Sequence, residues 1–184
     1  MDTLGVVELH SIAAGADVAD TMVKSAHVEL LRASTLCGGR FLIYVSGDRM
    51  AVETSVLSAE RSGRKCIGSF VISQVSPVLI KGLRGSSPAE AGDALGVVES
   101  RIVSAGLVSA DAAVKRADVR LLKFVAGHGI MGKAYYVLAG DVAAVREAVA
   151  AADSSLGDKL VESVVIPSPA ESVAQALSGG ARHL

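Results

Sequence analysis

Leu4-Gly5-Val6-Val7-Glu8 returns in the same chain as Leu95-Gly96-Val97-Val98-Glu99, an offset of 91 residues. Holding that offset from Leu4 to Leu31 gives fifteen identities in 28 positions. They include Ala14-Gly15 with Ala105-Gly106, Ala19-Asp20 with Ala110-Asp111, and Lys24 with Lys115. After a two-residue insertion in the second copy, Gly39, Gly47-Asp48, Ala51-Val52 and Val56 meet Gly132, Gly140-Asp141, Ala144-Val145 and Val149. One residue more brings Ser69, Val71-Ile72 and Leu83 onto Ser163, Val165-Ile166 and Leu177. Two copies are too few for a solenoid, whose shorter units must stack several times to bury a core. The chain is a tandem duplication of one domain, with expected bounds 1–88 and 93–184. The stretch RGSSPAEAG at 84–92 has the composition of a linker between them.

Each copy carries the same pattern of elements. Leu4 to Leu9 is apolar and β-branched, and reads as a strand. Ser11 caps a helix that carries Ile12, Ala16, Ala19, Val23 and Ala26 at helical spacing. Val28 to Ala33 and Phe41 to Val45 are short apolar runs separated by a turn at Thr35–Gly39, so they read as adjacent strands. Gly47-Asp48 opens a second helix with Val52, Val56 and Ala59 on one face. Ile67 to Ile72 is a fourth strand, and Ser76 to Leu83 a short closing helix. The order β-α-β-β-α-β-α is α+β, the ferredoxin-like βαββαβ arrangement plus one helix. The second copy repeats it from Leu95 to Leu177.

Composition narrows the function. The chain has 184 residues, net charge -1, 51% apolar residues and 3% aromatic. The near-neutral balance argues against a nucleic-acid binder, which needs a Lys/Arg excess to neutralise phosphates. The longest run without a charge, Cys66 to Ile80, has fifteen residues and includes four Ser or Gln. A spanning helix needs about 20 mostly apolar residues, so no membrane partner is expected. The start, MDTLGVVELHS, lacks the basic region of a signal peptide. Two cysteines, Cys37 and Cys66, make no disulfide framework, which points to reduced thiols in the cytoplasm. No P-loop, Gly-rich dinucleotide fingerprint or HExxH motif is present. No conventional enzyme is therefore expected.

The ordered set G-V-V-E, Ala-Gly and A-D-x-x-V-K-x-A-x-V, at Gly5–Val28 and again at Gly96–Val119, resembles the bacterial microcompartment shell domain. The resemblance covers nearly the whole chain and is greatest for the tandem-domain type of propanediol-utilisation compartments. It implies a homotrimer that mimics a hexamer of single domains, a flat tile meeting other shell proteins edge to edge around a set of enzymes. In this type a pore-loop Cys, followed by Gly and a basic residue, anchors an iron–sulfur cluster. The matching stretch here is Leu36-Cys37-Gly38-Gly39-Arg40, and its counterpart is Ala126-Gly127-His128-Gly129-Ile130-Met131-Gly132-Lys133.

The resemblance thus implies Cys37 as metal ligand. A [4Fe–4S] cluster would be shared by three chains, one Cys37 from each, for electron transfer across the shell or cluster delivery to an encapsulated redox enzyme. Such clusters ordinarily use four cysteines, so one iron would be left to water or a small ligand. Gly38 and Gly39 let the loop turn sharply, Arg40 is placed to offset cluster charge, and His128 and Gly129 complete the pore loops. Lys24 and Lys115, equivalent on the first helix of each copy, are the implied tile-edge residues. Plainer readings stand beside these. Cys37 fits a small buried residue in a Gly turn, His128 a solvated loop histidine, and the two lysines the polar face of a helix. Cys66 reads as structural, although the basic run Arg61–Lys65 is of a kind that lowers a thiol pKa. Glu8 and Glu99, at matching strand positions, read as architectural. A tile without a cluster, whose pore passes small metabolites, is the alternative, and a small-molecule enzyme or sensor on duplicated domains is a third reading.

Overall fold

Why glycine opens each G-V-V-E motif is visible in the packing. A Cβ on Gly5 would lie 2.8 Å from Val45 Cγ2 and 2.9 Å from Val56 Cγ2. On Gly96 it would lie 2.8 Å from Val149 Cγ2. A helix therefore rests directly on the first strand of each copy, and only glycine leaves it room. The computed structural model describes residues 3–84 and 92–178. Most of the linker and the tail with His183 lie outside them.

The first copy forms β1 (Thr3–Leu9), α1 (Ile12–Ser25), β2 (Glu29–Leu36), β3 (Arg40–Gly47), α2 (Arg49–Glu60), β4 (Cys66–Ser73) and α3 (Pro77–Arg84). The second forms β5 (Ala94–Ser100), α4 (Val103–Arg116), β6 (Arg120–Ala126), β7 (Ala134–Gly140), α5 (Val142–Leu156), β8 (Leu160–Pro167) and α6 (Glu171–Ser178). The sheets run β2-β3-β1-β4 and β6-β7-β5-β8, antiparallel throughout. This is the α+β architecture expected from the repeat. Asp48 and Asp141 cap α2 and α5 by accepting the Ala51 and Ala144 amides at 3.0 and 2.8 Å, which explains the repeated Gly-Asp pair.

The chain divides into two compact units. One is Met1–Val75 with Ile102–Ala105 and Gly127–Lys133; the other is Ser76–Arg101 with Gly106–Ala126 and Ala134–Leu184. In the first unit Val7, Leu9, Val18, Met22, Phe41, Ile43, Val52 and Val56 form the core. The buried stripe of α1 is Gly15, Val18, Ala19 and Met22. Of the positions expected on that face, Ile12 and Val23 are instead 46% and 39% exposed. Both stripes have helical spacing, and the Phe41 ring decides between them by seating against Gly15. A Cβ there would fall 2.3 Å from the ring. The face expected on α2 is buried as anticipated, at Val52, Val56 and Ala59.

In the second unit α3 packs on β6. Leu79 is fully buried, and a Cβ on Gly82 would fall 2.5 Å from Leu121 Cδ2. The start of α3 is tied by the Ser76 amide, which donates to Asp111 Oδ1 at 2.8 Å. Tyr136 is buried, shares a hydrogen bond with Ser109 at 3.0 Å, and stacks on Phe124 at 6.0 Å between centroids.

Gly15→Ala should destabilise the protein by about 1–3 kcal/mol, the usual cost of overpacking, although Gly→Ala inside an exposed helix gains about 1 kcal/mol. Gly106→Ala, whose nearest contacts are the Ala134 Cβ at 2.9 Å and the Ser100 Cβ at 3.3 Å, should cost less. Urea unfolding of the two variants measures the difference, and equal midpoints would contradict it.

Candidate functional site

Two loops of the first unit meet at Cys37. The turn joining β2 to β3 is closed by the pairing of Leu36 with Arg40. Gly38 and Gly39 take φ of 80° and 72°, where a side chain would be strained. Nothing lies within 4 Å of where their Cβ atoms would be, so the turn projects into open space. Leu36 at its base is 4% exposed, and Cys37 is half-buried.

The loop between β6 and β7, Gly127–Lys133, is folded on itself by three backbone bonds. The Gly127 amide donates to Lys133 O at 2.9 Å, the Gly132 amide to Gly127 O at 3.2 Å, and the Lys133 amide to Ile130 O at 3.1 Å. It lies on the first loop: a Cβ on Gly127 would be 2.7 Å from Leu36 Cδ2, and one on Gly132 2.9 Å from Cys37 O. The Gly129 amide donates to Cys37 Sγ at 3.2 Å. An amide aimed at sulfur is the kind of hydrogen bond that a metal-bound sulfur accepts. His128, beside that amide, is exposed.

Arg40 reaches inward. Its Nη1 donates to Glu8 Oε1 at 3.3 Å and to Gly132 O at 3.1 Å. Glu8 is fully buried on β1, and its Oε2 accepts the Ser104 amide and hydroxyl at 2.9 and 3.0 Å. Burial holds the Glu8 carboxyl above its ordinary value near 4.5, against the lowering effect of the Ser104 and Arg40 donors. The approach depends on Gly68, where a Cβ would be 2.2 Å from Ser104 Oγ.

The remaining candidates lie apart from this cluster in character. Lys24 pairs with Asp20 at 2.6 Å with both side chains exposed. Lys115 pairs with Asp111, which is nearly buried because it also holds the Ser76 amide. Cys66 is half-buried against α2, its thiol donating to Ala59 O at 3.7 Å. Burial, then the charge of Glu60, pushes that thiol up, so the neighbouring basic run does not activate it.

Among the described residues no group of three His, Cys, Asp or Glu is placed to hold a metal ion. One half-buried thiol on an open loop, with an amide already directed at sulfur, fits a cluster only as one donor of a set shared between chains. What the sequence did not disclose is the Glu8–Ser104–Arg40 network. Its one visible sign is that Ser104 stands where the first copy has Ala13.

The BMC domain profile matches residues 3–75 and 94–169. The microcompartment shell protein PduT of Citrobacter freundii is 38% identical over 173 residues, spanning 92% of this chain and 94% of that protein. EutK, a microcompartment shell protein of Salmonella typhimurium, is 37% identical over 68 residues, 35% of this chain and 42% of that protein. A solved microcompartment protein from Desulfitobacterium hafniense superposes with a TM-score of 0.80 at 35% identity, covering 95% of this chain and 99% of that one. The fused permuted hexameric shell protein of the RMM microcompartment shares the fold, with a TM-score of 0.61 at 22% identity over 85% of this chain and 84% of that one.

Because the carboxyl of Glu8 is raised in the native state, its contribution to stability is complete below the ordinary value and declines as pH rises through the raised one. Glu8→Gln removes this dependence. The stability of the unmodified protein relative to Glu8→Gln should therefore fall as pH rises from about 4. Urea midpoints across that range test it, and parallel profiles would refute it.

Proposed function

The chain belongs to the BMC domain family and is a structural, tandem-domain shell protein of a bacterial microcompartment, and from that premise we propose that it forms a homotrimeric tile whose three Cys37 thiols together hold a [4Fe–4S] cluster. The observation that carries the cluster reading is the Gly129 amide on Cys37 Sγ at 3.2 Å, in a loop otherwise open. When bound, the cluster would supply one-electron transfer across the shell, or be handed to an encapsulated redox enzyme. The chain's own part is to present Cys37 as ligand, to direct the Gly129 amide at its sulfur, and to keep the turn slender through Gly38 and Gly39. Arg40 and His128 border the same loops, and Lys24 and Lys115 are assigned to the tile edge, where other shell proteins would meet.

The trimer is supported by surfaces that one repeat buries and the other leaves open. In the second unit Leu79 is buried and Leu121 is 7% exposed. Their counterparts by the repeat offsets, Val173 and Leu30, are 42% and 43% exposed. Asp111 holds the Ser76 amide, whereas its counterpart Asp20 is exposed with Lys24. Ile102, Val103 and Ser104 are buried at the start of α4, whereas the counterpart Ile12 is 46% exposed. Val173 and Leu30 are the counterparts of residues in elements that pack together, α3 on β6, so each complements the other. A second copy seated head to tail would bring Val173 of one chain onto Leu30 of the next, and a closed ring would leave neither over.

Anaerobically purified protein should contain about four irons per trimer, with matching acid-labile sulfide. The iron should be lost in Cys37→Ser and kept in Cys66→Ser. Absence of iron after careful reconstitution would remove the cluster and leave a tile that passes metabolites. Leu30→Asp and Val173→Asp should each shift the native mass from trimer to monomer, since both side chains are exposed in the single chain. Lys24→Ala should leave the trimer intact and reduce sheet formation seen by electron microscopy. Trimers persisting in both Asp variants would refute the head-to-tail arrangement.

A further inference from the structure

We infer that Glu8 and Arg40 form a clamp that holds the Gly127–Lys133 loop against the Cys37 turn, which makes Arg40 a positioning residue for the thiol. The inference rests on the proposed role of Cys37 for its purpose, though not for its geometry.

The loop carries one strained position, Met131. Gly127, Gly129, Met131 and Gly132 all have positive φ, and Met131, at 55°, is no glycine and is 81% exposed. A backbone of this kind persists only where its surroundings over-determine it. The three backbone bonds inside the loop close it on itself and do not attach it to the turn. Two ties to the turn flank the Gly129 donor. At the near end Gly127 rests on Leu36, and at the far end Gly132 O accepts from Arg40 Nη1 at 3.1 Å. Between these ties lies Gly129, whose amide meets Cys37 Sγ. Releasing the far tie frees the half of the loop that carries this donor.

Arg40 is itself held. The same Nη1 pairs with Glu8 Oε1 at 3.3 Å, a charge-assisted bond with one partner fully buried. The other Glu8 oxygen is fixed by the Ser104 amide and hydroxyl at the start of α4. The line of contacts thus runs from the end of a helix through a buried carboxylate and a guanidinium to a carbonyl of the loop. The guanidinium is turned toward Glu8 and the loop backbone, so its charge is engaged before any cluster is considered. Close contact is also built in at Gly132, where a Cβ would fall 3.1 Å from Arg40 Nη1.

The test uses the full-length protein freed of iron. In Arg40→Met, which keeps the stem and removes the donors, amide exchange across 127–133 should accelerate about tenfold or more while β1 and β3 keep their protection. The Gly129 amide resonance should move toward its position in Cys37→Ala. Arg40→Lys, whose ammonium can donate to both acceptors, should restore much of the protection and the shift. Glu8→Gln, isosteric but without the charge, should give an intermediate effect, and it carries the test if Arg40→Met does not fold. Unchanged exchange and an unmoved Gly129 resonance in the folded Arg40→Met, or in Glu8→Gln where that variant stands in, would overturn the clamp. Iron content, measured separately, distinguishes the two readings. Accelerated exchange in Arg40→Met with no iron in the unmodified protein would uphold the clamp and remove the cluster.

Discussion

A carboxylate with no exposed surface sets the terms for much of the first unit. Burying an ionised group costs several kcal/mol unless its lone pairs are met, and Glu8 meets them with the Ser104 amide, the Ser104 hydroxyl and Arg40. Each donor imposes a condition on the chain. Ser104 must come from the start of α4, so Ile102–Ala105 packs with the first unit. Gly68 must lack a side chain, because Ser104 Oγ stands where it would go. Arg40 must begin β3, which fixes the end of the Cys37 turn. A hydrophobic residue at position 8 would relieve these demands and would also remove the partner that steadies Arg40.

The two copies have kept their framework and diverged where they meet their surroundings. Gly5 and Gly96, Asp48 and Asp141, and the hydroxyls of Ser69 and Ser163 on the acids of α2 and α5 do the same work twice. Elsewhere matched positions differ in kind. Ser104 answers Ala13, Glu162 answers Gly68, and Ala134 stands where Phe41 fills the space beside Gly15. The loops differ most. One is a three-residue turn carrying a thiol, and the other, which holds a two-residue insertion, spans seven residues and folds over it. A duplicated domain gains a mixed site in this way without disturbing either core, since loops tolerate insertion far better than packed strands do.

Read from the sequence alone, the repeat, the order of elements and the α+β class were all available, because periodicity and glycine placement report local geometry directly. Cys37 and the glycines around it were also available, through the ordered motif. The buried face of α1 was not, since its apolar stripes compete and only the Phe41 ring, placed by β3, selects Gly15, Val18 and Met22. The partner of Arg40 was not available either. A basic residue three positions after a cysteine suggests a charge beside a cluster, and its actual acceptors lie 32 and 92 residues away. Such pairings are made by tertiary packing across the sheet, which leaves no spacing to read. The sequence by itself determined that one domain was built twice with a thiol at one loop tip. Only the tertiary structure decided that a buried carboxylate, through Arg40, holds the other loop against that thiol, because burial and long-range contact exist only once the chain has folded.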